Sequence, residues 1–549
     1  MPASGQTRGM HPISRRTFLA SAAAIAVAAC SDGGNDNTAD VSTSTPGTSG
    51  DASSSTSPGT TSPVPSADLP GDPFTLGVAS GDPDATSVVL WTRLAPDPLN
   101  GGGMPDSDVD VLWEVSASEA FDAIEAGGIA TAHAEHAHSL HVVAAVDPGS
   151  WYYRFRVGAY TSPVGRAVIA PADGSVDRAR FAAASCQHYE TGQYAAHRDI
   201  AEQQPDFVMW LGDYIYEYAG PEDGQAADRV HLGPEITDLT SYRNRYARYK
   251  SDPNLQAAHA ACPWFVIWDD HEVENNYAGL VPEDGTSDGS DEATFRARRF
   301  AGYQAWWEHQ PVRLDPPIDE TAEYRIYRDF QWGDLLELAM LDGRQYRSDQ
   351  ACGDVALNLS PACAENADPS RTMLGDAQEQ WLLDTLAASP ATWNVVGNQV
   401  VMADATFNGA VLNYDQWDGY PAARARLMQE FANRSIENLV VLTGDIHLAA
   451  VAHLRAGDPA ARVNVGVEFV STSISSEGLV GNELTDVLKS FPDLVDAELA
   501  HRGYVLHTVD RDLWSADYRI VTDVSDADSE VTTFSLYEVA AGTNQVAKV

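Results

Sequence analysis

Six short apolar runs, each ending in a polar residue able to bind a metal or a proton, constrain this chain more than any other feature. Phe207 to Leu211 ends in Gly212-Asp213, with Tyr216 three residues beyond the carboxylate. Phe181 to Ser185 ends in Cys186, and Trp264 to Trp268 ends in Asp269-Asp270-His271-Glu272. Leu335 to Leu341 ends in Asp342, Trp393 to Gly397 in Asn398-Gln399, and Leu439 to Thr443 in Gly444-Asp445-Ile446-His447. Runs of this length and bulk are strands buried on both faces. In layered α/β folds the ligands sit beyond the carboxyl ends of the strands, so these residues are expected to converge. Gly212 lets the backbone turn where a side chain would obstruct it.

Between the runs lie helical patterns: Tyr194 to Glu202, Ser241 to Tyr249, Ala293 to Glu308, Asp376 to Leu386 and Ala422 to Phe431. Strand, ligand, helix, repeated, predicts a layered α/β/β/α body over residues 178–525, followed by a C-terminal segment 526–549 with a final strand at Phe534 to Val539. Before it, residues 73–172 carry strand-like runs at Thr86 to Thr92, Asp110 to Val115 and Trp151 to Val157, separated by Pro and Gly turns. They predict a small β-sandwich of fibronectin or immunoglobulin type with a packing or recognition role.

The N-terminus, residues 1–30, reads as a twin-arginine export signal: Arg15-Arg16 precede an uncharged run too short to span a membrane. Val27-Ala28-Ala29-Cys30 resembles a lipobox, which would make Cys30 an acylated N-terminus; ordinary cleavage within the Ala-rich run is the alternative. Residues 31–72, rich in Ser, Thr, Gly and Pro, are expected to stay disordered as a tether. The expected location is outside the cytoplasm, at the cell surface, in the periplasm or in the medium, with a membrane met only through such an anchor. The formal net charge of −45 repels nucleic acid and anionic membrane, and an anionic substrate can bind only where cations reverse the field. In an oxidising destination Cys352 and Cys363, close in one polar loop, are expected to pair, while Cys262, next to a buried strand, reads as a core thiol.

Cys thiolate, Tyr phenolate, Asp carboxylate and His imidazole together suit a strongly acidic cation, because free thiols and phenols ionise well above neutral pH. Iron(III) fits that set better than zinc, which is met more often with several His or Cys. Gly212-Asp213-x-x-Tyr216, Asp269-Asp270-His271-Glu272 and Gly444-Asp445-x-His447 resemble the ordered motif blocks of calcineurin-type metallophosphoesterases. The closer resemblance is to the alkaline phosphatase D (PhoD-like) family, carried by Phe74 to Pro83, Val88 to Arg93, Ser185-Cys186-Gln187, Trp268 to Asn276, Leu341 to Arg347 and Trp417 to Pro421. It implies Cys186, Asp213, Tyr216 and His447 around iron(III), with Asp213 bridging to calcium that Asp270 and Asp445 help to bind. Asn398 stands where two-metal relatives carry another His, and oxygen donors in place of imidazoles suit calcium.

The activity implied is hydrolysis of small phosphoesters, mono- or diesters, through in-line attack by a metal-bound hydroxide. Phospholipase D-type diesterase chemistry on the same site is the alternative, and a cell-surface binding protein with a relic metal site a more distant one. His271 would sit beside the substrate phosphate, or else be a helix-start histidine held by Glu272 or Glu274. Arg344 would clamp a phosphate oxygen, or else be a buried partner of Asp342. The polar run Ser471 to Ser476 reads as a turn, so no serine nucleophile is expected.

Overall fold

The computed structural model describes residues 62–171, 174–220, 229–283, 291–354, 361–407, 409–458, 461–478, 488 and 491–549. Arg15, Arg16, Cys30 and the tether as far as residue 61 lie outside the described residues. The first strands are β1 (Val78–Gly81), β2 (Ser87–Arg93), β3 (Val109–Ser116), β4 (Ala126–Ala132), β5 (Ser139–Ala145), β6 (Gly149–Val157), β7 (Tyr160–Thr161) and β8 (Gly165–Ile169). After them come β9 (Arg178–Ala184), α1 (Ala195–Gln203), β10 (Phe207–Leu211), α2 (Leu239–Lys250), α3 (Pro253–Ala261), β11 (Pro263–Ile267) and α4 (Glu292–His309). The chain continues through β12 (Arg328–Trp332), β13 (Leu336–Met340), α5 (Gly375–Ala388), β14 (Trp393–Gly397), α6 (Pro421–Asn433) and β15 (Leu439–Thr443). It closes with β16 (Ala449–Ala456), β17 (Val463–Val470), β18 (Leu494–Glu498), β19 (Arg502–Asp510), β20 (Leu513–Val521), β21 (Val531–Ala540) and β22 (Val546–Lys548).

Two large mixed sheets form the body. One runs β22-β21-β20-β19-β9-β10-β11-β1-β2-β5, the other β12-β13-β14-β15-β17-β16-β18. The central strands β9, β10 and β11 are parallel, as are β13, β14, β15 and β17, with α1, α2, α3, α5 and α6 in the crossovers. Alternation explains how five-residue strands hold two layers. Val395, Val440 and Leu442 join the core shared with Phe181 and Phe207, while Val396 and Val441 join Leu382 and Leu386 of α5 and Leu427 and Phe431 of α6. Each such fully buried side chain contributes about 1.5–3 kcal/mol. The layered α/β/β/α architecture follows from this double burial.

Two expectations need correction. The N-terminal strands do form a sandwich around Val88, Leu90, Trp113, Val115, Tyr153 and Phe155. Its β1-β2-β5 layer, however, is continuous with the catalytic sheet, because β1 pairs parallel with β11 through Ser80↔Pro263 and Gly81↔Trp264. The tether is placed before residue 72: Ala67 and Leu69 pack on the sandwich core, and the Gly158 N–H donates to the Pro65 carbonyl at 2.9 Å. Apolar side chains among the Ser and Pro give that stretch something to bury. The C-terminal segment carries its expected strand as β21, which pairs with β20 along its whole length and so closes the same sheet. Helix α3 was not anticipated, although Asp252-Pro253 at its start is a capping residue followed by proline at the first helical position, a recognised start signal.

Candidate metal centre

The strand ends turn abruptly, and the turns bear the candidate ligands. Cys186, Asp213, Asp445 and His447 all have left-handed backbones, with φ of 61°, 57°, 62° and 55°. Each such non-glycine residue costs on the order of 1–3 kcal/mol and persists only where its surroundings impose it. Gly212, at φ 109°, precedes one of them, and a Cβ there would lie 2.5 Å from Asp269 Cβ. Glu272 ties the ends of β10 and β11 together by accepting from the backbone N–H groups of Asp213, Tyr214 and Asp269 at 3.2, 2.6 and 2.9 Å.

One half of the site is soft and phenolic. A ligand atom each from Cys186, Asp213 and His447 lies within 4.8 Å of the others. The Tyr216 hydroxyl donates to Asp213 Oδ2 at 2.9 Å, lies 3.1 Å from His447 Nε2 and accepts from Ser476 Oγ at 2.7 Å. His447 Nδ1 donates to the Glu477 carbonyl at 2.6 Å, which leaves Nε2 as the acceptor facing the cluster. Burial, with Asp213 adding its charge, pushes the Cys186 thiol and the Tyr216 phenol well above their usual ranges. Burial and the Arg502 charge bring His447 down to about 3. Asp213 Oδ1 is buried with no hydrogen-bond partner among the described residues. An orphaned carboxylate oxygen beside a thiol, a phenol and a neutral imidazole fits a cation strong enough to displace their protons.

The other half is built of oxygen. Atoms of Asp269, Asp270 and Asp445 cluster within 4.8 Å, and Asp269 Oδ2 and Asp270 Oδ1 are buried without hydrogen-bond partners among the described residues. Gln416 Nε2 donates to Asp445 Oδ2 at 2.5 Å. This oxygen set fits a hard cation such as calcium. The Asn398 amide nitrogen donates to the Val400 carbonyl and, at 3.3 Å, to Thr443 Oγ1; its oxygen receives a long contact of 3.5 Å from Trp417 Nε1.

His271 bridges the two halves, with one atom in a cluster with Asp213 and Asp270. Its Nδ1 is bonded to Glu217 Oε2 at 2.7 Å, rather than to Glu272 or Glu274. Burial pulls its pKa down, but Glu217, Asp270 and Asp213 outweigh burial and raise it well above the usual histidine value. The Arg344 guanidinium does not reach the Asp342 carboxylate; the Arg344 backbone N–H does, at 3.0 Å. The guanidinium is fully buried and faces Asp269 and Asp415. Cys352 and Cys363 form a disulfide, and Cys262 is a buried free thiol. Sequence reasoning passed over Glu217, Asp415 and Gln416, and gave Asp269 only as part of its strand-end block and Ser476 only as part of the Ser471 to Ser476 turn. Of these, Glu217 directly follows Tyr216, and Asp415-Gln416 directly precedes the Trp417-Asp418-Gly419-Tyr420 block, so proximity to a motif was the available signal. A further group, His188, Glu190 and His231, also gathers within 4.8 Å. Arg245 Nη1 stands 3.1 Å from His231 Nδ1, which disfavours a cation there.

Comparison with known proteins identifies the family. The family model of the PhoD-like phosphatase matches residues 181–518, and that of the PhoD-like phosphatase N-terminal domain matches residues 59–171. Alkaline phosphatase D of Bacillus subtilis (strain 168) is 45% identical over 474 residues, covering 84% of this chain and 80% of the relative. A solved structure of PhoD superposes with a TM-score of 0.83 at 43% identity, covering 88% of this chain and 93% of the other. A purple acid phosphatase from yellow lupin (Lupinus luteus) seeds, at 11% identity and a TM-score of 0.50, shares the fold, covering 86% of this chain and 75% of its own. With the family model spanning most of the body and a close relative matched over most of its length, the chain belongs to the PhoD-like phosphatases and is a phosphoric ester hydrolase.

Proposed function

We propose that this hydrolase cleaves small phosphate mono- and diesters at an iron(III) and calcium centre, with Cys186, Asp213, Tyr216 and His447 toward the iron. Asp270 and Asp445, with Asn398, serve the calcium. The carrying observation is the pair of adjoining clusters, Cys186/Asp213/His447 and Asp269/Asp270/Asp445, each with a buried carboxylate oxygen that has no hydrogen-bond partner among the described residues. When bound, such cations neutralise the phosphoester oxygens and lower the pKa of water.

The protein's own part is positional. Glu217 fixes the proton on His271 Nδ1 and so sets the orientation of the ring, whose other nitrogen can serve the leaving oxygen as a hydrogen-bond or proton donor. The bond from His447 Nδ1 to the Glu477 carbonyl keeps Nε2 aimed at the cluster. Phospholipase D-type diesterase chemistry on the same site is the alternative, and parallel assay of a monoester and a diester separates the two. Arg15-Arg16 and Cys30 support export by the twin-arginine route with a lipid anchor, read from sequence alone.

The deciding experiment measures metal content and hydrolysis of the purified chain and of Cys186→Ala. The variant is expected to stay folded, lose its iron and tyrosinate absorbance, and lose turnover by more than ~100-fold. Normal iron content with full activity in Cys186→Ala would refute the assignment.

A further inference from the structure

Every edge of the Arg344 guanidinium already faces a carboxylate. Nη1 and Nη2 donate in parallel to the two oxygens of Asp415, both at 2.8 Å, and Nε donates to Asp269 Oδ1 at 2.5 Å. Nη2 also lies 3.5 Å from Asp270 Oδ1 and 3.7 Å from Asp445 Oδ1. Beyond Asp415, the carboxylates it reaches are the three whose oxygens cluster within 4.8 Å. Asp415 is itself braced, by Arg347 Nη1 at 2.6 Å and Gln350 Nε2 at 2.6 Å. A phosphate could be clamped only by breaking a buried two-pronged pair, and a guanidinium has no neutral form to fall back on.

We propose that Arg344 is a positioning residue that acts as a resident cation of the oxygen-donor half and does not touch the substrate. Asp415 holds it where it offsets the charge of Asp269, Asp270 and Asp445. The inference rests on reading that half as a calcium site, and it has two consequences. Without calcium, Arg344 keeps three carboxylates clustered together. With calcium, its like charge weakens the attraction for the incoming ion, so its removal tightens calcium binding.

The test is a calcium chloride titration of the thermal midpoint of the full chain, stripped with a chelator beforehand. In Arg344→Gln the calcium-free midpoint is expected to fall by roughly 5 °C or more, with half-saturation at about tenfold lower calcium than in the unaltered chain. Adding Asp415→Asn to Arg344→Gln should recover part of the lost midpoint, because both members of the buried pair are then neutral. Arg344→Lys keeps the charge without the fork, so its inhibition by inorganic phosphate should stay within about twofold of normal. Unchanged or weaker calcium binding in Arg344→Gln overturns the proposal, and so does an approximately tenfold weaker phosphate inhibition in Arg344→Lys. If the unaltered chain shows no response to calcium, the calcium reading falls and this proposal with it. A normal response there, with none of the expected change in Arg344→Gln, overturns this proposal alone.

Discussion

His507 shows how burial alone sets the behaviour of a residue far from the chemistry. It is fully buried, accepts from Trp514 Nε1 at 3.0 Å through Nδ1, and rests against Phe181 at 5.0 Å between ring centroids. Burial brings its pKa down to about 3, against an ordinary value of about 6.5. As pH falls through about 6.5 the unfolded chain takes up a proton that the folded chain refuses until about 3, so over that window stability falls with pH. His507→Gln keeps an acceptor for Trp514 and removes the titration. It should flatten the fall in stability between neutral pH and pH 4 by up to ~1.4 kcal/mol per pH unit, read from urea midpoints. An identical slope in both proteins would contradict the assignment. At the metal centre, residue types at strand ends revealed Cys186, Asp213, Tyr216, Asp270, Asp445 and His447 as candidates, because the strand alternation is a local pattern. The pairings of Glu217 with His271 and of Asp415 with Arg344 were illegible, because the partners stand 54 and 71 residues apart and only the fold sets them face to face.

At the scale of elements, the turn after β10 carries the most meaning. Gly212 at φ 109° needs a conformation that side chains resist, and the nearest obstruction is Asp269, itself a member of the oxygen-donor cluster. Gly212→Ala combines backbone strain with overpacking, about 3 kcal/mol together. The expected result is a midpoint several degrees lower, with hydrolysis reduced more than ~10-fold as Asp213 and Asp269 are pushed apart. Wild-type activity in Gly212→Ala would mean that the turn does not set the site. The central strands and five of the helices were legible because each is written in a local period. The membership of β1 in the catalytic sheet was not, since it depends on Asp82, which binds Arg328 at 2.9 Å across 246 residues, and on Trp91, whose indole donates to the Glu308 carbonyl at 3.0 Å. The N-terminal sandwich is therefore braced into the body through buried polar contacts that no periodicity announces.

For the whole molecule, a net charge of −45 coexists with a site meant for anionic esters, and the two are compatible only if bound cations invert the local field. Among the described residues no helix is long and apolar enough to cross a membrane. Two sheets pressed face to face, helices outside, bring six strand ends to one edge, and the soft and hard donors separate there into neighbouring clusters. That separation is the central claim: Cys186, Tyr216 and His447 suit iron(III), while Asp269, Asp270 and Asp445 suit calcium. The most direct test exposes the purified enzyme to a calcium-selective chelator and follows phosphoester hydrolysis together with the visible tyrosinate absorbance. Hydrolysis should be abolished while the absorbance persists, and calcium should restore the rate better than zinc. An unchanged rate after chelation, or full reactivation by zinc alone, would contradict the account.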